Sequence, residues 1–337
     1  MPNPFLIAEI AQAHGGEVQR AHDYIDALAK TGVDAVKFQT HIAAAESSVH
    51  EPFRVKFSED YATRFEYWKA MEFTLAEWKD LKSHCDEVGV EFMSSPFSNA
   101  AVDLLEEVGV QRYKVGSGEV NNFLLMEKIA QTGKPLILSS GMSSLSELDQ
   151  TTTFLRERNV SFSLLQCTTK YPTEPADYGL DVIQQLKERY HCPVGYSDHS
   201  AQIATGIAAV ALGAEILEFH AVFDRANDPG PDASSSLEME EISQLVHGVR
   251  RIALSRKRNT DKSDNSAFQS LKSIFEKSLA VNKALSKGHV LTFEDLEAKK
   301  PKGYGIDAAD FQELLGKKLK RPLQQWDFLN KTDIEDE

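Results

Sequence analysis

Val194-Gly-Tyr-Ser-Asp-His-Ser200 and Glu215-Ile-Leu-Glu-Phe-His-Ala221 flank a helical segment over 201–212 that stops at Gly213. Each of the two quoted runs has the length of a brief strand and ends in polar residues. A strand, a helix and a second strand in succession favour two parallel strands joined by a right-handed crossover. The sequence therefore predicts a strand–helix–strand unit here.

The polar residues at the ends of these two strands are expected to meet. Side chains two positions apart on a strand share a face, so Ser197 points the same way as His199, and Glu218 the same way as His220. Two histidines and a carboxylate from neighbouring strand ends are suitable ligands for a divalent metal ion. The alternative is that each histidine is a buried, hydrogen-bonded core residue.

The same unit of helix, glycine and short apolar strand recurs along the chain. Eight such units favour a closed (β/α)8 barrel, a TIM barrel, over an open doubly wound sheet. No GxGxxG motif follows the first strand, which weakens a dinucleotide-binding alternative. We predict strands at 5–10, 34–40, 90–95, 111–117, 135–140, 161–167, 193–197 and 215–220, and helices at 18–30, 75–88, 99–108, 122–132, 144–158, 179–190, 201–212 and 238–255.

Two segments depart from this alternation. The segment 43–74 is long, aromatic and irregular, which is typical either of a lid or partner surface or of an extra helix packed on the barrel rim. Residues 255–266 are polar, and 275–337 alternate short apolar pieces with Lys-Gly and Lys-Pro turns. We predict a barrel domain over 1–256, a linker over 257–274, and a small β-rich domain over 275–337 that would gain stability by docking on a barrel.

Composition narrows the class of protein. The net charge of −14 argues against nucleic acid as a partner, because a phosphate backbone calls for a basic surface. No apolar run reaches the roughly 18–20 residues that a membrane span needs, and the first residues do not have the pattern of a signal peptide. The three cysteines form no CxxC pair, which favours reduced thiols and a cytoplasmic protein.

An unusually polar ring is predicted at the carboxyl ends of the strands, where (β/α)8 enzymes carry their active sites. Lysines with clustered hydroxyls bind phosphate or carboxylate groups, and a histidine pair with a carboxylate suits a metal that polarises a carbonyl. The residues predict an anionic, phosphorylated substrate meeting such a carbonyl. The ring comprises Glu9, Lys37, Gln39, His41, Ser94, Ser95, Lys114, Ser117, Glu119, Ser139, Ser140, Thr169, Tyr171, Ser197, His199, Glu218 and His220.

At these residues the chain resembles the sialic acid synthase family, the phosphoenolpyruvate-dependent nonulosonic acid synthases. The resemblance covers nearly the whole chain, and its specificity comes from nine short motifs in one order. The tail resembles that family's antifreeze-like (SAF) domain. The motifs are Ile7-Ala-Glu-Ile10 with His14-Gly15, Val36-Lys-Phe-Gln-Thr40, Ser94-Ser-Pro-Phe97, Lys114-Val-Gly-Ser117, Leu138-Ser-Ser-Gly-Met142, Cys167-Thr-Thr-Lys-Tyr-Pro172, Gly195-Tyr-Ser-Asp-His199, Glu218-Phe-His220 and Gly230-Pro-Asp232.

The resemblance implies a transferase that joins phosphoenolpyruvate to the open-chain aldehyde of an N-acetylmannosamine-type sugar and releases phosphate. It implies that His199 and His220 hold Mn²⁺, or Mg²⁺ or Co²⁺, with Glu218 beside the ion, and that Glu9 is the acid/base group. Phosphoenolpyruvate would be held by Lys37, Ser95, Lys114, Ser117, Ser139 and Ser197, and the sugar by Gln39, Thr169, Tyr171, Asp232 and Lys300.

Three departures from the family pattern fall on the sugar side. Lys300 stands where the family has an arginine, with Lys302 inserted after it; Thr169 replaces a frequent asparagine; and Ala11-Gln-Ala-His-Gly15 replaces Gly-x-Asn-His-Asn-Gly. Lysine does not reproduce the bidentate contact of arginine. The acceptor is therefore either an N-acetylmannosamine-type sugar or a 2,4-diacetamido hexose, the precursor of legionaminic or pseudaminic acid.

The resemblance also implies a domain-swapped homodimer, and the small C-terminal domain makes one plausible. A non-catalytic sugar-binding barrel is the competing class, and the intact set of Glu9, Lys37, Lys114, His199 and His220 argues against it. An ice-binding role for 275–337 is disfavoured because the segment is rich in Lys and Glu.

Overall fold

The computed structural model describes residues 3–54, 60–228, 230–257 and 261–335. The chain divides into two compact units, Met1–Arg258 and Asn259–Glu337. Each unit has its own cluster of buried apolar side chains. The predicted domain boundaries remain a prediction, and residues 258–260 of the predicted linker lie outside the described part of the chain.

The first unit contains the predicted parallel barrel. Its strands are hydrogen-bonded in the order β3-β2-β1-β8-β7-β6-β5-β4, and the end strands β3 and β4 lie side by side. Each of the hydrogen-bonded pairs is parallel, which confirms the (β/α)8 class. The strands are β1 Phe5–Ala11, β2 Ala35–Thr40, β3 Glu91–Pro96, β4 Tyr113–Val115, β5 Leu136–Ser139, β6 Phe162–Cys167, β7 Val194–Asp198 and β8 Ile216–Val222. A short strand, β9 Ser236–Glu238, pairs with β8 outside this order.

Local sequence signals explain where these helices begin and end. Thr74 and Ser144 each close a capping box with a glutamate three residues later. Gly89 ends its helix with φ of 80°, a left-handed conformation that favours glycine, so the recurring helix–glycine unit has a backbone cause. The helices are α1 Val18–Thr31, α2 Ala43–Glu46, α3 Arg64–Met71, α4 Leu75–Val88, α5 Asn99–Val108, α6 Phe123–Ala130, α7 Leu145–Glu157, α8 Val182–Tyr190, α9 Ile203–Ala211 and α10 Met239–Lys257. In the described ranges, no helix combines the length and the apolar character needed to cross a membrane.

The aromatic segment 43–74 contains the two extra helices α2 and α3. Tyr67, Trp68 and Met71 of α3 are buried together with Ala43 in a small apolar cluster of their own. The packed helix agrees with one of the two interpretations of this segment. Some of its residues also line a cavity of the barrel, and a role as a lid or partner surface remains a prediction. Residues 55–59 of this segment lie outside the described ranges.

The second unit is small and built from short strands and bridges. Its two-stranded antiparallel sheet pairs β10 Ser278–Val281 with β11 Leu296–Lys299. Helix α11 Gln269–Phe275 precedes the sheet and begins within the range 257–274 that was predicted as a linker. The β-rich character agrees with the sequence, while the likeness of this unit to antifreeze protein remains a prediction. Its core is formed by Leu279, Val281, Leu285, Leu291, Ile306, Leu314, Leu319, Leu323, Leu329 and Ile334.

Candidate active site

A cavity of about 280 Å³ opens at the carboxyl ends of the barrel strands. Apart from Lys300, which belongs to the second unit, all the residues that the resemblance assigns to substrate, metal or acid/base chemistry line it. The cavity lining does not include four members of the predicted polar ring: His41, Ser94, Glu119 and Ser140. The predicted residues in the lining are Glu9, Lys37, Gln39, Ser95, Lys114, Ser117, Ser139, Thr169, Tyr171, Ser197, His199, Glu218, His220 and Asp232.

The strand register brings four buried charges together at the floor of the cavity. Glu9 of β1 lies level with Lys37 of β2 on one side and with His220 of β8 on the other. Lys37 Nζ contacts Glu9 Oε2, while Glu218 Oε1 lies 3.1 Å from Lys114 Nζ and 3.7 Å from Lys37 Nζ. These side chains are at most 5% exposed, so each depends on the others for charge compensation.

This cluster shifts the titration of its members. Burial, with repulsion from Lys114, lowers the pKa of Lys37 to about 7 against the attraction of Glu218. Burial raises the pKa of Glu218, but Lys114 and Lys37 more than offset it and hold that pKa below its ordinary value. Glu218 Oε2 has no hydrogen-bond partner in the described ranges. Two buried cations beside an incompletely bonded carboxylate are typical of a binding site, because structural charges are normally satisfied.

A local irregularity of β1 positions Glu9. The register between β1 and β2 shifts between Glu9 and Ala11, and Ala11 has φ of 51°. This bulge lets the Ala11 amide donate a 2.8 Å hydrogen bond to Glu9 Oε1. One carboxylate oxygen is thus held by the backbone, and the other is left toward Lys37.

Two imidazoles stand beside the charge cluster. His199 and His220 have ring centroids 5.3 Å apart, and Tyr171 stacks on His199 at 4.2 Å. His199 Nδ1 donates to the Thr168 carbonyl at 2.9 Å, so the neutral form of the ring carries its lone pair on Nε2. Burial opposes the charged form of His199, but Cys167 and the Thr168 carbonyl more than offset it and raise the pKa of this ring. Burial, together with repulsion from His199 and Lys37, puts the pKa of His220 well below its ordinary value, so that ring is neutral.

These rings have the chemistry of metal ligands. Neutral imidazole is the form that binds metal ions, and a backbone acceptor on the far nitrogen is the usual orienting partner. In the described ranges, no three His, Cys, Asp or Glu side chains converge on one point as a preformed metal site. Glu218 is engaged by Lys114, so the two histidines are the residues that fit a metal ion.

The cavity lining contains a residue, Arg54, that the sequence did not single out. Arg54 donates to Asp232 Oδ1 at 2.6 Å, and its guanidinium lies 4.1 Å above the Tyr171 ring. Tyr171 and Asp232 were both predicted to face the sugar. The only hint in the sequence is that Arg54 lies in the aromatic segment 43–74. Because that segment has no regular spacing, the sequence does not predict where the Arg54 side chain lies.

Gln12 was also missed. Its Nε2 donates to Gln39 Oε1 at 2.6 Å and lies 3.1 Å from His41 Nε2. His41 in turn is stacked against Trp68 and Phe97, with ring centroids at 3.9 and 4.6 Å. This network fixes the Gln39 amide within the cavity wall. Gln12 lies just after the bulge in β1, where alternation along the strand no longer indicates the direction of a side chain.

Fold and pocket together define a (β/α)8-barrel enzyme with its polar residues at the carboxyl ends of the strands. The NeuB family model matches residues 24–261, and the chain belongs to that family. The chain is 33% identical to an N,N'-diacetyllegionaminic acid synthase of Campylobacter jejuni, over 94% of this chain and 96% of the relative. It is 34% identical to an N-acetylneuraminate-9-phosphate synthase of Mus musculus, over 98% of this chain and 92% of the relative.

A solved structure supports the same assignment. The N-acetylneuraminic acid synthetase of Leptospira borgpetersenii, in complex with citrate, superposes with a TM-score of 0.70. It is 32% identical and covers 80% of this chain and 90% of its own. The predicted resemblance is confirmed: the chain is an enzyme, a transferase of nonulosonic acid synthesis.

Proposed function

We propose that this enzyme condenses phosphoenolpyruvate with the open-chain aldehyde of an N-acetylmannosamine-type sugar and releases phosphate. One observation carries the proposal: two buried lysines, Lys37 and Lys114, lie beside a pair of imidazoles at the carboxyl ends of the barrel strands. The cations suit the acidic groups of phosphoenolpyruvate, and the imidazoles suit a centre that activates a carbonyl. The names of the relatives support a nonulosonate as product.

The phosphoenolpyruvate end is assigned to the lysines and the hydroxyls around them. Lys37 Nζ already donates to Ser95 Oγ at 3.3 Å, and Ser117 Oγ accepts from the Gly141 amide at 3.0 Å. Ser139 Oγ has no partner in the described ranges, so it is available to a phosphate or carboxylate oxygen. A phosphate dianion would also favour the charged form of Lys37, whose pKa burial lowers to about 7.

A divalent metal, Mn²⁺ or a similar ion, fits His199 and His220. When bound, it would supply a Lewis acid that polarises the sugar aldehyde. Because the described residues offer two imidazoles and no third converging ligand, the remaining positions would fall to substrate or water oxygens. Glu218 is still predicted to lie beside the ion, and we propose that it also holds Lys114 and Lys37 in place.

Glu9 is proposed as the acid/base group. The enol carbon attacks the aldehyde carbon, water adds to the resulting cationic carbon, and the tetrahedral intermediate expels phosphate. Glu9 Oε2 accepts or returns the proton of the water or of the new sugar hydroxyl, while the Ala11 amide holds Oε1. The fixed cations around the departing phosphate supply most of the transition-state stabilisation.

The acceptor is assigned to the wall formed by Gln39, Thr169, Tyr171 and Asp232, with Arg54 added from the structure. Thr169 Oγ has no partner in the described ranges and can bond a sugar hydroxyl or amide. The competing acceptor, a 2,4-diacetamido hexose, is favoured by the Campylobacter jejuni relative. A domain-swapped homodimer and a sugar contact from Lys300 remain predictions from the resemblance.

The test is phosphate release from phosphoenolpyruvate with Mn²⁺, run in parallel with N-acetylmannosamine and a 2,4-diacetamido hexose. Each arm is repeated with a chelator. We expect chelator-sensitive release with one of the two sugars, which would identify the acceptor as well. A folded protein that binds Mn²⁺ but releases no phosphate with either sugar would contradict the proposal.

A further inference from the structure

A second group of titratable side chains lies outside the active-site pocket, where the outer helices α1 and α4 pack together. His22 of α1 faces His84 of α4, with the two Nδ1 atoms 2.8 Å apart and the ring centroids 4.9 Å apart. Both rings are half-buried, at 17% and 19% exposure. Neither residue has a part in the proposed chemistry, so this juxtaposition needs its own explanation.

Each ring also contacts a carboxylate through its other nitrogen. His22 Nε2 lies 3.1 Å from Asp80 Oδ2, and His84 Nε2 lies 3.0 Å from Asp26 Oδ1. Asp26 follows His22 by one turn of α1, and Asp80 precedes His84 by one turn of α4. The four side chains therefore form a crossed, nearly symmetric arrangement that links the two helices.

Counting protons shows what this arrangement requires. An ionised carboxylate only accepts hydrogen bonds, so the Nε2 atom of each histidine must carry its ring's hydrogen. A neutral imidazole has one N–H, which leaves both Nδ1 atoms of His22 and His84 as bare acceptors facing each other. Two lone pairs at that distance repel, so either a proton shared by the two rings or a metal cation must lie between them.

We propose that His22 and His84 bind a divalent transition metal of the Zn²⁺ class through their Nδ1 atoms. Asp26 and Asp80 would orient the rings from outside, the carboxylate–histidine–metal arrangement that is usual for such ligands. Two carboxylates and two neutral imidazoles carry a charge of −2, which a divalent ion balances. Zn–N bonds of about 2.0–2.1 Å in a tetrahedral site separate two nitrogens by about 3.3 Å, so the rings need to open by about half an ångström.

The expected selectivity follows from the ligands. In the described ranges no third protein ligand converges on this pair, so water completes the coordination. Imidazole nitrogen favours Zn²⁺, Ni²⁺ and Cu²⁺ over Mg²⁺ and Mn²⁺. The metal would clamp α1 to α4 and stabilise the barrel by binding only its folded form. This inference does not depend on the proposed function.

The test uses the full chain carrying His199→Ala and His220→Ala, so that the pocket imidazoles are absent. After treatment with a chelator and dialysis, this variant is titrated with Zn²⁺ by calorimetry at neutral pH. We expect one equivalent of Zn²⁺ to bind and the unfolding temperature to rise. Adding His22→Gln and His84→Gln should abolish both effects, whereas His247→Gln, an exposed histidine of α10, should leave both unchanged.

A second pair of substitutions tests whether the two carboxylates orient the imidazole rings for metal binding. Asp26→Asn with Asp80→Asn keeps both imidazoles and should weaken Zn²⁺ binding about 10–100-fold. Absence of Zn²⁺ uptake in the variant without the pocket histidines would overturn the proposal, because the pair would then share only a proton. Uptake that survives His22→Gln with His84→Gln would overturn it as well. Circular dichroism checks that each variant is folded.

Discussion

Two buried carboxylates, one in each unit, have opposite surroundings. Asp295 of the second unit is 2% exposed, and its Oδ2 accepts from His289 Nε2 at 2.8 Å and from the amide and hydroxyl of Thr292 at 2.8 and 2.9 Å. Its Oδ1 lies 2.8 Å from Lys283 Nζ. Glu218 of the barrel is also buried, but both of its lysine contacts, to Lys37 and Lys114, are made by Oε1. Its Oε2 has no hydrogen-bond partner in the described ranges.

The difference separates a charge that stabilises the fold from one that serves a site. Burial would raise the pKa of Asp295, yet the bonds from Lys283 and His289 hold it well below its ordinary value. Glu218, by contrast, keeps an oxygen with no hydrogen-bond partner in the described ranges, and its neighbour Lys37, which also contacts Glu9, has a pKa lowered to about 7. A satisfied network rigidifies a small unit, whereas an incomplete one keeps bonding capacity for a ligand.

The largest expected effect comes from removing a cation of the barrel cluster. Lys37→Met should lower the rate of phosphate release about 100–1000-fold, because it deletes a fixed cation from the proposed phosphate-binding position. Steady-state assays with phosphoenolpyruvate measure the loss. The matched change in the second unit, Lys283→Met, removes a lysine from a buried carboxylate and should leave that rate unchanged. An equal loss of phosphate-release rate in the two variants would contradict the proposed difference between the Glu218 and Asp295 clusters.

The next effect concerns stability of the second unit. Asp295→Asn keeps the shape of the side chain but removes the charge that four donor groups surround, so the free energy of unfolding should fall by about 2 kcal/mol. Denaturant titration of the full chain, followed by a probe in this unit such as Trp326, measures the change. An unaltered unfolding midpoint would show that the Asp295 network is not a stabilising one.

Acid should affect the same network in a defined direction. The pKa of Asp295 is lower in the folded state than its ordinary 3.8, so its stabilisation is present above about pH 4 and is lost as the pH falls toward the folded-state pKa. Wild-type protein should therefore lose more stability between neutral pH and pH 3 than Asp295→Asn does. Parallel acid dependences of the two proteins would contradict the assigned pKa direction.

The smallest effect on activity is expected in the part of the cavity lining that is proposed to bind the acceptor sugar. Arg54→Gln removes an ion pair to Asp232 and a cation–π contact to Tyr171, each worth about 1 kcal/mol or less at a partly exposed site. The KM for the acceptor should rise by up to about 10-fold, while the KM for phosphoenolpyruvate stays the same. Arg112→Gln is the matched control and should leave both KM values unchanged, because Arg112 likewise pairs with a carboxylate, Glu91, and lies over an aromatic ring, Phe5, but does not line the cavity. A rise confined to the phosphoenolpyruvate KM would place Arg54 at the wrong end of the cavity.

Much of the fold could be predicted because helix, glycine and strand repeat with clear boundaries. Helix α4 spans the predicted 75–88, and its end at Gly89 follows from the left-handed conformation there. Strand β4 was predicted too long, at 111–117, because Gly116 leads directly into a 3-10 turn over Ser117–Glu119. A short turn of this kind leaves no hydrophobic periodicity in the sequence, so the end of the strand could not be predicted from spacing.

The site was predictable where strand alternation applies and not elsewhere. Glu9, Lys37, Glu218 and His220 lie on strands, and knowing which ends of the strands meet was sufficient to bring them together. Arg54 lies in an irregular segment, and its placement depends on packing against Tyr171. The pairing of Glu218 with Lys114 across the barrel was also out of reach, because it depends on side-chain length and on the closure of the sheet.

One measurement tests the central claim most directly. The enzyme is incubated with Mn²⁺, the accepted sugar and phosphoenolpyruvate labelled with ¹⁸O at the oxygen that bridges carbon and phosphorus. Mass spectrometry then measures the label in both products. Water attack on carbon and loss of phosphate predict that the label leaves with phosphate and that a nonulosonate forms in equal amount. Label retained in the nine-carbon product, or consumption of phosphoenolpyruvate without that product, would contradict the account.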